Sequence, residues 1–401
     1  MRVVLCSLAL SGCGLAEPRN AVPSATLAQR AIMPELPGIR AWGDEAPADV
    51  RQEVRSRFPG LPRLSGNDRR NKNDRPVVNV LALSGGGPDG AFGAGLLTGW
   101  TERGTRPQFD MVTGVSAGAI IAPFAFLGPN YNPQLKEVWT QYSTSQLITT
   151  QILPGLLGGP AIADTQPLAD LIARYVDRRF LREVAAEYRK GRLLLIGTTN
   201  LDAQRPVVWN MGEIAASGHP ASLELFRRVI MASAAIPGAF PPVTLQVSVE
   251  GKTYDEMHVD GGTTREVFVT PFDAPLTAFD KLYDRPPVRR LFIVNNGKIT
   301  PEHEEIKAQT IPIAARAIST LIKSQNQSEL YAIWRKAHDA GADFNFIAVP
   351  ASFAVRPKEV FDPVYQAALF EEGRKLGASA DPWMKAPPRN GAAHKTGSPP
   401  T

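Results

Sequence analysis

The chain has 401 residues, 43% of them apolar and 21% charged, the balance of an ordinary globular protein with room for one large domain or two small ones. Its 44 basic residues exceed its 39 acidic ones by only five, and they are scattered with no aromatic-interleaved basic patch, which argues against a nucleic-acid binder. That mild excess instead favours contact with anionic lipid head groups. No His/Asp/Glu set shows metal-ligand spacing and no GxxxxGK[ST] is present, so metal and P-loop chemistry are not expected, and neither is any cofactor.

In chain order, Arg2 precedes the apolar run Val3-Val4-Leu5-Cys6-Ser7-Leu8-Ala9-Leu10, which reads as a targeting segment. Leu10-Ser11-Gly12-Cys13 follows and resembles the bacterial lipobox. Cleavage would fall before Cys13, whose thiol would be acylated and would attach the protein to a membrane of the cell envelope. A general secretory signal with an incidental Cys13 is the alternative. Residues 13–75, rich in Pro, Arg, Asp and Asn, read as a tether with one short helix near 47–58. The core is expected over 76–380 and a disordered tail over 381–401.

Within the core the pattern predicts strands at 76–80, 109–113, 193–199, 206–210, 288–295 and 344–349. Helices are expected after the first two of these strands, over 167–188, 222–234 and 309–340, and finally over 362–376. Strands alternating with helices point to an α/β layered fold with a mainly parallel sheet.

Three segments carry chemistry. Gly114-Val115-Ser116-Ala117-Gly118 lies between a strand and a helix, and its glycines permit a tight turn that projects the serine hydroxyl. Ser84-Gly85-Gly86-Gly87-Pro88-Asp89-Gly90 also joins a strand to a helix. It exposes N–H groups at the positive end of that helix, a place suited to an anion, which in an acyl hydrolase is an oxyanion. Asp260-Gly261-Gly262 ends a short strand and lets the chain turn away.

In this order the three segments resemble the patatin-like phospholipase family: a glycine-rich loop at Gly85 to Gly90, a GxSxG elbow at Gly114 to Gly118, and an Asp-Gly-Gly at Asp260 to Gly262. The block Ala232-Ser233-Ala234-Ala235-Ile236-Pro237-Gly238-Ala239-Phe240-Pro241-Pro242-Val243 is similar too. The resemblance implies a three-layer α/β fold and a Ser116–Asp260 dyad. It also implies an oxyanion hole from the amides of Gly85, Gly86 and Gly87, and lipid or other acyl-ester substrates. One departure stands out: Asp89 occupies a position where the family carries Arg or Lys. It is expected to point away from the hole, with positive character supplied by another group or by water.

Three other readings compete with this one. A Ser-Asp-His triad would use His303, His338 or His394, and His258 could tune the site. A nucleotide-binding protein would use the glycine loop as an anion site with Asp110 on a ribose. A catalytically impaired lipoprotein is a third possibility, supported by Asp89 alone.

Overall fold

The structure, a computed structural model, describes residues 19–57, 70–147, 149–150 and 163–388. The leader with Cys13, the distal tail and His394 lie outside the described residues.

Nine strands build the central sheet. They are β1 (Arg40–Trp42), β2 (Val77–Leu83), β3 (Met111–Gly114), β4 (Leu193–Asn200), β5 (Arg205–Asn210), β6 (Val243–Val249), β7 (Lys252–Asp260), β8 (Val288–Asn295) and β9 (Asp343–Ala348). The order is β1-β5-β4-β3-β2-β8-β9, with β7 pairing both β4 and β6. Neighbours from β4 through β9 are parallel. The β1–β5, β4–β5, β4–β7 and β6–β7 pairs are antiparallel. The sheet is thus mostly parallel with an antiparallel flank. The sequence shows why: central β4, Leu-Leu-Leu-Ile-Gly-Thr-Thr-Asn, is buried along its whole length, as a strand covered on both faces must be. In β6 exposed and half-exposed residues interrupt the buried ones, as in a strand with one wet face.

Alternation along β2 assigns the two faces. Leu81 and Leu83 pack into the large apolar cluster with α1 (Gly90–Glu102), α2 (Ala117–Leu127), α3 (Asn132–Thr140), α4 (Gln166–Tyr175), α5 (Arg178–Arg189), α6 (Ser222–Ser233) and α8 (Pro363–Ala378). Val78, Val80 and Ala82 face the other way, onto Leu330, Ile333 and Ala337 of α7 (Thr310–Asp339). Helices on both faces of one sheet make the expected three-layer α/β architecture. Among the described residues no helix is long and apolar enough to cross a membrane.

Helix α8 lies against α1 with backbones almost touching. A Cβ on Gly95 would sit 1.9 Å from the Phe370 carbonyl oxygen, and one on Gly99 would sit 1.9 Å from that of Arg374. Glycines four apart on α1 therefore permit the crossing.

Residues 19–57 depart from the expected tether. β1 pairs with β5 in the register Arg40↔Trp209 to Trp42↔Val207, and Ile39, Ala41 and Trp42 are buried. Arg40 forms a buried bidentate ion pair with Glu256 of β7. A short helix, Val50–Arg57, buries Val54 completely. Three strand residues are too few to show a period, and the Pro, Arg and Asp around them mark only the wet side of the segment.

Candidate active site

The elbow begins where β3 leaves the sheet. β4 meets β5 along one edge from Leu195 to Asn200. Its other edge is shared: β3 covers Leu193 to Ile196 and antiparallel β7 covers Thr198 to Asn200. The C-terminal ends of β3 and β7 thus approach each other along β4. Gly114 pairs with Ile196 and Asp260 pairs with Thr198, which brings Ser116 and Asp260 together across 144 positions of sequence.

Ser116 has φ 53° and ψ −122°, outside the regions a non-glycine residue ordinarily occupies, and it is the N-cap of α2. Ser233, on α6, holds this conformation. Its Oγ accepts the Ser116 N–H at 3.0 Å and donates to the Gly197 carbonyl at 2.6 Å. Asp260 is fixed by its N–H, donated to the Ala235 carbonyl at 2.8 Å, and by its Oδ1, which accepts the Gly262 N–H at 2.8 Å. The block at 232–238 therefore braces both residues. Asp260 Oδ2 is buried and has no partner in ordinary hydrogen-bond geometry, although the Ser116 hydroxyl is near enough to act on the carboxyl. Burial pushes the Asp260 pKa up to about 7, against the opposing pull of Ser116 and the Gly262 amide.

The glycine loop stands beside them. Gly86 has φ +143°, and a Cβ there would lie 1.7 Å from the Asn296 carbonyl oxygen, so only glycine fits. Asn296 clasps the loop. Its N–H donates to Ser84 Oγ, its amide to the Ser84 carbonyl, and its Oδ1 accepts the Gly93 N–H at 3.1 Å. The Gly85 N–H is directed to the Glu266 carbonyl at 3.4 Å. The amides of Gly86 and Gly87 have no backbone acceptor among the described residues, and Gly87 (φ +54°) borders open space. Gly90, Gly114, Gly118 and Gly261 are crowded in turn by Trp139, the Gly118 backbone, the Leu83 carbonyl and the Gly197 carbonyl.

Two cavities meet at this point, and Ser116, Gly87, Pro88 and Ile236 line both. One is a narrow apolar slot of about 80 Å³ walled by Ile120, Phe124, Leu171, Ile172, Tyr175 and Phe240. The other, about 550 Å³, is more polar and holds Gly85, Gly86, Asp89, Asp260, Glu266 and Lys298 in its wall.

Asp89 lines the polar cavity, but its Oδ1 accepts the Tyr365 hydroxyl at 2.6 Å. Burial raises its pKa to about 6 against that hydrogen bond. The cations in the same cavity are Lys298 and Lys323, and both pair with Glu302.

The competing readings lose their residues. Among the described residues no histidine lines either cavity. His303 and His338 are exposed. His258 is completely buried in a network of its own. The Trp209 indole N–H donates to Thr198 Oγ1 at 2.8 Å. Burial lowers the His258 pKa and favours the neutral ring; the Glu256 carboxylate accepts its Nε2–H at 3.1 Å, so Nδ1 accepts the Thr198 hydroxyl at 3.0 Å. Asp110 immediately precedes β3, where its carboxylate accepts the Asn79 N–H at 2.8 Å, at the opposite end of the strands from the glycine loop that follows β2. Nothing in the local sequence marks Asn296 or Tyr365, and Ser233 is marked only as part of a family-like block.

A mostly parallel α/β sheet with a strained serine on a strand-to-helix turn, facing a buried aspartate, has the geometry of an elbow-type hydrolase. Residues 81–273 match the model of the patatin-like phospholipase family. The structure is similar to the crystal structure of VipD from Legionella pneumophila, with 12% identity and a TM-score of 0.37, covering 77% of this chain and 69% of that one. It is also similar to a chain in the structure of full-length SpcU with full-length ExoU from the type III secretion system of Pseudomonas aeruginosa. There the identity is 14% and the TM-score 0.29, with 76% of this chain and 52% of that chain covered, so this chain spans about half its length. No curated protein matches the chain.

Proposed function

We propose that this protein is a lipid acyl hydrolase that works through Ser116 and Asp260. The observation that carries the reading is the position of Ser116 at the junction of an apolar slot and a polar cavity, with Asp260 beside it. The slot suits an acyl chain and the cavity suits the alcohol part of an ester. Ser116 Oγ attacks the ester carbonyl while its proton passes to Asp260. The oxyanion forms next to the free amides of Gly86 and Gly87. Collapse expels the alcohol with that proton, and water activated by Asp260 then releases the acid.

A carboxylate is a weak base toward a hydroxyl, so the amides carry much of the rate; one such donor is worth on the order of 3 kcal/mol in other enzymes. A base whose pKa is near 7 is better matched to this task than an ordinary aspartate. Asp89, tied to Tyr365, leaves the hole to the backbone. The test is a panel of phospholipids and simple esters with the wild type, Ser116→Ala and Asp260→Asn. Hydrolysis is expected from the wild type only. An Asp260→Asn protein near full activity would remove the base, and an active Ser116→Ala protein would remove the nucleophile.

A further inference from the structure

The mechanism above uses one carboxyl group, and the structure buries a second beside it. Glu266 is 6% exposed and lines the cavity that holds Ser116 and Asp260. Its carboxyl fills the space over two motif glycines. A Cβ on Gly85 would lie 2.5 Å from Glu266 Oε1, and one on Gly262 would lie 2.2 Å from Oε2. The same point over Gly262 is 3.2 Å from Asp260 Oδ1, so the two carboxyl groups converge above one glycine.

Among the described residues the nearby cations are committed elsewhere. Arg265 donates to the Gly43 carbonyl, while Lys298 and Lys323 pair with Glu302 across the cavity. Asp89 is bound by Tyr365, and the Asn326 amide donates to Asn295. On α7, Glu329 accepts the N–H groups of Glu266 and Val267, at 2.9 and 3.1 Å. The charged groups acting on the Glu266 carboxyl are Asp260 and Glu329, both acids. Two largely buried carboxyls converging on one point cannot both ionise cheaply.

We propose that Glu266 is a positioning acid that stays protonated in the working protein and forms with Asp260 a carboxyl pair carrying a single negative charge. This rests on the Ser116–Asp260 reading and deepens it. In the resting site the proton is on Glu266 and the charge on Asp260. On attack, the Ser116 O–H bond breaks, its proton goes to Asp260, and Oγ bonds to the carbonyl carbon. The carbonyl π pair becomes the oxyanion. The pair is then neutral, and the one negative charge has moved to the glycine amides. An ionised Glu266 would leave a second charge beside Gly85, against the oxyanion. Burial, with Asp260 and Glu329 as neighbours, holds the Glu266 pKa well above the ordinary carboxyl range, in line with this role.

The experiment follows the rate of fluorophosphonate labelling of Ser116 against pH in the full chain, for wild type and Glu266→Gln. The wild-type rate is expected to rise as the pair loses its first proton and to fall at alkaline pH as it loses the second. Glu266→Gln should keep the rise and lose the fall. Identical profiles for the two proteins, or a wild-type rate with no alkaline fall, would overturn the inference while leaving the nucleophile in place. No labelling at any pH would overturn the acyl-hydrolase reading and this inference with it. A second readout needs no reaction: the infrared difference between wild type and Glu266→Gln at pH 7 should contain the C=O band of a protonated carboxyl. Its absence would contradict the proposal.

Discussion

At the residue scale, the proposed chemistry depends on a carboxyl held out of water. Asp260 has an ordinary pKa near 3.8 and is raised to about 7 by burial. The folded state therefore keeps a proton that the unfolded chain releases above about pH 4. The sign follows: the stability this group contributes is fully present below its unfolded pKa and is lost as pH rises through the folded value near 7. Asp260→Asn removes a charge that the fold pays to bury. Its melting temperature should exceed that of the wild type at pH 8, by a margin corresponding to on the order of a few kcal/mol, and the margin should shrink toward pH 4. Calorimetry at the two pH values checks this; a variant that melts lower at pH 8 would show that the aspartate is better solvated than its surroundings indicate. A protein gaining stability while losing hydrolysis would mark Asp260 as a residue kept for function rather than for the fold.

At the element scale, the three motifs were legible because each is local. A strand, a tight turn and a helix lie within about a dozen residues, and the glycines and serine of the turn declare themselves. Their meeting was not legible from local pattern. It depends on β3 and β7 sharing one edge of β4, a pairing that joins residues scores of positions apart. The residues missed are of the same kind. Ser233, Asn296 and Tyr365 act over separations of 117, 212 and 276 positions, and nothing in their own neighbourhoods marks them. The glycine spacing that lets α1 meet α8 is visible in the sequence, but its partner helix is not.

Ser233 gives the sharpest test at this scale, because it satisfies a strained N–H and a buried carbonyl at once. Ser233→Ala should cost about 1–3 kcal/mol of stability. It should also lower kcat at least tenfold, with a smaller effect on KM, because the elbow loses its brace while both cavities remain. A wild-type kcat in this variant would mean that the Ser116 conformation is held by the chain alone.

At the scale of the whole molecule, the N-terminal segment is where composition misled. Residues 39–42 close the antiparallel edge of the sheet, and Arg40 neutralises Glu256, whose carboxyl is held down to about 2 by His258 and Arg40 although burial alone would raise it. That ion pair sits on β7, the strand that ends at Asp260. Arg40→Met leaves the buried Glu256 carboxylate without its counter-charge, with only the His258 hydrogen bond to hold it, and should destabilise the fold by about 3–5 kcal/mol. Chemical denaturation measures the loss. The double variant Arg40→Met, Glu256→Gln should recover part of it, and no recovery would mean that the Arg40 side chain acts by packing alone.

The claim that joins these scales is that the hydroxyl of Ser116 is a nucleophile armed by Asp260. Its most direct measurement is mass spectrometry of the protein after exposure to a fluorophosphonate, with and without Asp260→Asn. One adduct on the peptide containing Ser116, and its loss or marked slowing in the Asp260→Asn protein, is the predicted result. An unmodified Ser116, or equal labelling in both proteins, would contradict it.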